Sequence, residues 1–416
     1  RNMKKYITTS KLAKSFILAF TVIIGFAFQA CNDNPDKYEI ADGVPEVYYV
    51  RVPNPVSSDS LLVQAFMDNT ICLVGHNLRS IREMWFNDQK AVLNSSLITD
   101  NALIVTIPKT IPSVVTNKIY MITKTNDTIP YTFGVQVPSP VVNSISCEYA
   151  HDGDLATLYG DYFIDDPNVP LTITMAGNVP VTEIKSIEKT KVVFKIPAGA
   201  QKGYMNVKSI YGTGRSHFQF RDDRGIILDW DNTNANGGWR SGKIKNSDPA
   251  GISGNYVYFT GALDGDPTKD WAEDNFSFNL WGTANGRPQG DLFSTPPASS
   301  VLKFEVNVTQ AWSSCALQMI FTPWSTNGTN GYIADGKTPR GLWRPWESTG
   351  SYTTDGWVTV AIPLTEFKYS HSGESLEMAP AGNYGGLTFF VYNGGITGTS
   401  CTPYICIDNI RVVPAE

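Results

Sequence analysis

Cys72-Leu73-Val74-Gly75-His76-Asn77-Leu78 returns further along the chain as Thr157-Leu158-Tyr159-Gly160-Asp161-Tyr162-Phe163, an alternating apolar run closed by a glycine and a polar residue. Two further landmarks keep the same order. Leu103-Ile104-Val105-Thr106-Ile107-Pro108 answers to Val192-Val193-Phe194-Lys195-Ile196-Pro197, and Tyr131-Thr132-Phe133 to Phe218-Gln219-Phe220. A near-constant separation of roughly 87 residues means two copies of one small domain, at 46–138 and 139–221. Alternation of this kind marks half-buried strands. The glycine permits a tight turn after its strand, and the Asn or Asp beyond it tolerates left-handed backbone. Pro108 and Pro197 cannot donate to a ladder and stop theirs.

The rest of the chain agrees with an all-β reading. No stretch sustains a helical apolar period, and 35 Gly and 25 Pro punctuate short β-branched and aromatic runs. Strand, Gly-Asn/Asp-Leu/Phe, then Val-x-Ile-Pro resembles the immunoglobulin-like IPT/TIG domain, which implies two tandem sandwiches acting as spacers or interaction modules. A length of 416 residues exceeds what one core supports. Composition changes after Arg221-Asp222-Asp223-Arg224: nine of the ten tryptophans lie beyond it, and the remaining 222–416 is the size of one large jelly-roll sandwich.

That third region opens with Ile226-Ile227-Leu228-Asp229-Trp230-Asp231 and closes with Tyr404-Ile405-Cys406-Ile407-Asp408-Asn409-Ile410-Arg411-Val412-Val413. Its closing strand resembles the last strand of carbohydrate-binding jelly rolls. Asn236-Gly237-Gly238-Trp239, Asp274-Asn275-Phe276-Ser277-Phe278-Asn279-Leu280-Trp281-Gly282, Gly341-Leu342-Trp343-Arg344-Pro345-Trp346-Glu347 and Tyr352-Thr353-Thr354-Asp355-Gly356-Trp357 resemble something narrower. They are similar to the C-terminal xyloglucan-binding-type domain of type B surface glycan-binding lipoproteins from Bacteroidota polysaccharide-utilisation loci.

The N-terminus reads as an address. Lys4, Lys5, Lys11 and Lys14 precede an apolar run from Phe16 to Phe28, which is too short to span a bilayer and suits a signal-peptide core. Gln29-Ala30-Cys31 resembles a bacterial lipobox, so residues 1–31 are read as a lipoprotein signal with Cys31 lipidated, and 32–45 as an acidic, polar tether. By resemblance, that acidic start implies display on the extracellular face of the outer membrane. The five other cysteines show no CxxC spacing, which argues against a zinc site or a disulfide framework; Cys401 and Cys406 could pair across a short loop.

Tryptophan offers a flat apolar face that stacks on the C–H face of a sugar ring, while polar neighbours bond the hydroxyls. Trp324, Trp343 and Trp346 stand beside Pro, Gly and Asn, which favour exposed, stiff loops, and are the leading glycan contacts. Trp281, Tyr332 and Trp271 follow, whereas Trp230 and Trp357 sit in strand-like segments and are read as core.

Asp264, Asp266, Asp270, Glu273 and Asp274 crowd one stretch, and Asp229 and Asp231 another. Solvated turns and caps are the reading preferred, with structural calcium and a glycosidase carboxylate pair as alternatives. The Asp229 segment fails the EF-hand pattern, having Asn234 for Gly and Arg240 for Glu. Gly331-Tyr332-Ile333-Ala334-Asp335-Gly336-Lys337-Thr338 matches a P-loop letter by letter, but Pro339 and Gly341 deny it the helix that phosphate binding needs. The histidines His76, His151, His217 and His371 are scattered, with His217 read as a strand residue.

A net charge of −6, only 17% charged residues and no basic run exclude a nucleic-acid grip, and leave the lipid anchor as the expected membrane contact. Together with the resemblance, this implies a non-catalytic surface binder without a cofactor. Its ligand would be a neutral plant β-glucan, xyloglucan or mixed-linkage glucan ahead of β-mannan, and its partner the outer-membrane importer complex of the same locus. The rivals are a surface glycoside hydrolase and an adhesin binding protein through the TIG-like domains. Because the aromatic loops lie in 222–416, that part is expected to bind glycan about as well alone.

Overall fold

The computed structural model describes residues 38–233, 243–269, 276–280, 290–323, 335–380, 383–392 and 395–416. The expectation of an all-β chain holds: the described regular structure is strands and 3-10 turns. The chain divides into two compact units at Val137/Pro138.

In the first unit, a three-stranded sheet of Glu46–Arg51, Thr70–His76 and Ala102–Thr106 accompanies a four-stranded sheet built on Ile81–Phe86 and Lys118–Thr123. Ile71, Leu73, Met84 and Ile119 are buried, alternate positions of their strands turned inward, and Phe133 between two strands is buried with them. In the second unit, the strands from Val141–Ile145 to Gly212–Phe220 form a continuous order of eight around Val142, Leu158, Phe194, Met205 and Phe220.

The repeat landmarks do matching work in both copies, and one differs from the sequence reading. Gly75 and Gly160 lie inside strands rather than at turns. A Cβ on Gly75 would stand 1.9 Å from the Glu46 carbonyl oxygen, and one on Gly160 the same distance from that of Val141. Each close approach faces a β-bulge, at Val47/Tyr49 and Val142/Ser144. The left-handed position follows two residues later, at Asn77 (φ 54°) and Tyr162 (φ 60°). Strands end at Thr106 and Lys195, one residue before the buried Ile107 and Ile196 that precede the prolines.

The C-terminal part of the second unit is a sandwich. One sheet runs Lys243–Lys245, Tyr256–Thr260, Tyr404–Pro414, Ser300–Gln310, Val358–Pro363, with Ile226–Leu228 also on Tyr404–Pro414. The other runs Phe276–Leu280, Gly386–Tyr392, Ala316–Thr322, Arg340–Trp343. Leu302, Phe304, Val306, Ile405 and Ile407 meet Leu317, Met319, Leu387 and Phe389 between them. Trp230 belongs to this core, its ring edge-on to Phe278.

The outer face of the larger sheet is also buried, and it is ionic. Lys303, Glu305 and Arg411 point away from the sandwich core toward Glu148, which follows Val141–Ile145. Arg411 donates to Glu305 at 2.8 and 3.0 Å and to Glu148 at 2.8 Å, and Lys303 donates to Glu148 at 2.6 Å. Two cations therefore meet two carboxylates. Burial opposes the Arg411 charge, but Glu305 and Glu148 carry its pKa above the ordinary guanidinium value.

All five described cysteines are free, Cys401 and Cys406 among them.

Candidate functional site

The site grows from the alternation of the four-stranded sheet. Leu317, Met319 and Phe321 of one strand and Leu387, Phe389 and Val391 of its neighbour enter the core. Gln318, Ile320 and Thr322, and Thr388, Phe390 and Tyr392, consequently take the opposite face. Register aligns them in rows, with Gln318 across from Phe390 and Leu342, and Ile320 across from Thr388 and Arg340.

This face carries aromatic and hydrogen-bonding groups packed against one another, Phe390 and Arg340 each 1% exposed, Gln318 4% and Tyr392 6%. Phe390 and Tyr392 stack with centroids 4.9 Å apart and planes inclined by 25°. Arg340 Nη1 donates to Gln318 Oε1 at 3.0 Å, fixing both side chains, and burial draws the guanidinium pKa below its ordinary value. A cleft of about 220 Å³ opens beside them, lined by Gln318, Arg340, Leu342 and Tyr392 with Ser370 and His371. The Ser370 turn is pinned in place: Arg340 N donates to the Tyr369 carbonyl, and Glu374 N to Ser370 Oγ. An aromatic face, an amide, a guanidinium, a hydroxyl and an imidazole are the groups that hold a polyhydroxylated ring.

The tryptophans chosen from sequence are placed differently. Trp346 is a core residue, 4% exposed, its Nε1 donating to the Cys315 carbonyl at 2.8 Å. Trp343 is half-buried on the core side, its ring edge-on to Phe304, Trp312 and Tyr352 at 5.6–5.8 Å. The expectation of an exposed loop at 341–347 fails because Arg340–Trp343 is a strand paired with 317–320. Neighbouring Gly and Pro had suggested otherwise, but the ladder and the Phe367 ring against Gly341 decide it.

Trp324, Tyr332, Trp281 and Trp271 lie outside the described residues. Trp281 follows Leu280 and Trp324 comes two after Thr322, and the register Leu280–Leu387 and Thr322–Gly386 puts both strand ends at one end of this sheet.

Among the acidic residues, Asp229 accepts from the backbone N–H groups of Asp231, Asn232 and Thr233. Asp264 pairs with Lys269, and Asp266 caps Thr268. These are turn-closing roles. Asp270, Glu273 and Asp274 lie outside the described residues, among which no three His, Cys, Asp or Glu side chains gather as a metal site. In the P-loop-like stretch, Asp335 accepts from Lys337 N and Thr338 N, and the chain then enters a strand rather than a helix.

Sequence reasoning did not single out Gln318, Arg340, Ser370, His371 and Tyr392, which line this cleft. One signal was present: Gln318, Thr322 and Thr388 interrupt otherwise apolar strands at alternate positions, marking a second face with a polar task.

A family model described as the surface glycan-binding protein B xyloglucan binding domain matches residues 220–414. The crystal structure of a surface glycan-binding protein from Prevotella bryantii is 35% identical, with a TM-score of 0.78 over 90% of this chain and 100% of that one. An IPT/TIG domain-containing protein of Bacteroides ovatus is 23% identical over 243 residues, 55% of this chain. The match spans 48%, about half, of that relative's length.

Proposed function

The chain belongs to the surface glycan-binding protein B family, and from that premise we propose that it captures a neutral plant β-glucan at the cell surface without cleaving it. The observation that carries this reading is the cleft on the outer side of the four-stranded sheet, where Tyr392, stacked on the buried Phe390, adjoins the fixed Gln318–Arg340 pair with Ser370 and His371. A sugar ring seated in this cleft meets Tyr392, and its outward hydroxyls exchange hydrogen bonds with the amide, guanidinium and imidazole groups. Xyloglucan and mixed-linkage glucan are the favoured ligands, with β-mannan behind them, and the name of the matching family model supports xyloglucan. Each site binds weakly, on the order of micromolar to millimolar Kd, and many copies on one long chain supply avidity.

In this reading Cys31 is lipidated and holds the protein on the outer membrane, the TIG-like domains act as spacers, and the importer complex of the same locus takes up the captured glycan. Calorimetry of the full-length protein in detergent against xyloglucan, mixed-linkage β-glucan and β-mannan tests it, together with an assay for released reducing ends. Binding of the β-glucans without new reducing ends is expected. Turnover would establish the hydrolase reading instead, and binding of none of the three would remove the glycan reading.

A further inference from the structure

The second unit contains a cleft larger than the one under Tyr392. It measures about 340 Å³ and opens where the second Ig-like sandwich meets the C-terminal one. One wall comes from Ser146, His151 and Asp154 and the other from Ile252, Asp355 and Trp357. Junctions between domains are favoured places for small-ligand sites when their walls are held rigid.

These walls are held. Thr359 N donates to the Ser146 carbonyl at 2.9 Å, and Glu148 N to Thr359 Oγ1 at 2.7 Å. His151 Nε2 lies 2.8 Å from the Ile252 carbonyl oxygen. Beneath them runs the Glu148–Arg411–Glu305 network. Trp357 is fixed as well: its Nε1 donates to the Ala250 carbonyl at 2.8 Å, and Tyr256 meets its ring edge-on at 5.2 Å. Read from sequence as core, Trp357 is instead half-buried and lines the cleft.

We infer that this junction cleft is a second saccharide-binding subsite, which seats one pyranose unit of a neutral glycan against Trp357 while Asp154 and Asp355 accept hydrogen bonds from its hydroxyls. The inference rests on the glycan-capture reading above. The chemistry is specific in sign. The cleft's lining carries two carboxylates and no lysine or arginine, so hydroxyl-rich neutral sugars fit and uronates are repelled. Two separated contacts on one polysaccharide would raise retention of long chains over short ones through effective concentration.

The test counts bound ligand. Equilibrium dialysis of the full-length protein with a xyloglucan heptasaccharide should saturate at two per chain for the wild type. Asp355→Ala, in an exposed turn, and Trp357→Phe, which keeps a ring against Tyr256, should each reduce this to one, with melting temperatures confirming that both fold. Retention on long xyloglucan should fall about tenfold in both variants, while the remaining site keeps its affinity. A wild type that binds one ligand per chain, or variants that still bind two, would overturn the subsite and leave glycan capture standing. A wild type that binds none would remove both.

Discussion

Glu148 and Arg411, 263 positions apart in the chain, form a fully enclosed ion pair in which Arg411 Nη2 donates to Glu148 Oε2 at 2.8 Å. One partner comes from the second Ig-like sandwich and the other from the last strand of the C-terminal sandwich. The same arginine grips Glu305 through two nitrogens, and its guanidinium stands 5.1 Å from the Tyr149 ring. The face that could have been the solvent side of a free domain is thus an electrostatic joint.

Removing one member leaves the others buried and short of a partner. Glu148→Ala should destabilise the second unit by about 3–5 kcal/mol, measured by denaturant unfolding. An unchanged unfolding midpoint would mean that water compensates at the joint. A fragment of residues 222–416 should for the same reason be markedly less stable than one of residues 138–416. This qualifies the expectation that the C-terminal part works as well alone.

Asp408 gives a pH signature. Burial pushes its carboxyl up to about 8, against the hydrogen bond from Ser253. An aspartate in the unfolded chain titrates near ~3.9. Between those values the folded protein holds a proton that the unfolded chain has released. The Asp408 contribution is therefore complete below ~4, declines as pH rises through the window, and is lost above about 8. Asp408→Asn, a neutral stand-in for the protonated acid, should flatten the stability profile across that window, where the wild type falls by up to ~1.4 kcal/mol per pH unit. Parallel profiles for the two proteins would show that Asp408 is ionised throughout.

The tryptophans should separate by role. Trp346→Ala opens a core cavity and orphans the Cys315 carbonyl, so a loss of about 3–5 kcal/mol of stability is expected. Trp281→Ala and Trp324→Ala should leave thermal melting unchanged and weaken glycan binding by roughly ten- to a hundredfold, as loss of one stacking face does. If both retain full affinity, neither indole belongs to the platform and the contact is limited to the cleft at Tyr392.

Salt should matter little. A neutral ligand held by stacking and hydroxyl hydrogen bonds lacks the long-range Coulomb attraction that ions screen. Affinity for xyloglucan should change by less than about twofold up to ~1 M salt, where the Debye length is ~3 Å. A collapse of binding would point to a charged glycan.

Anchoring has its own test. Cys31→Ala should release the protein from the membrane fraction, because one modified cysteine carries the attachment in this reading. Full retention of the variant would show that another segment holds it.

What the sequence by itself determined is periodic and local. Alternating apolar runs, the Gly75 and Gly160 landmarks and the Ile-Pro stops specify strands and a repeat, because side-chain alternation and proline's missing donor act within a few residues. The excess of tryptophan beyond Asp223 marked the region of the site for the same reason. Only the tertiary structure decided which face each ring takes. Trp346, beside Pro345, reads as a loop residue and Trp357, before Val358-Thr359-Val360, as core, yet the first is sealed in the core and the second lines a cleft. Gln318, Arg340 and Tyr392 converge only because three strands pair in one register, and Glu148 reaches Arg411 only because two sandwiches share a wall. Burial and convergence depend on residues far apart in the chain, and a linear pattern carries no term for them.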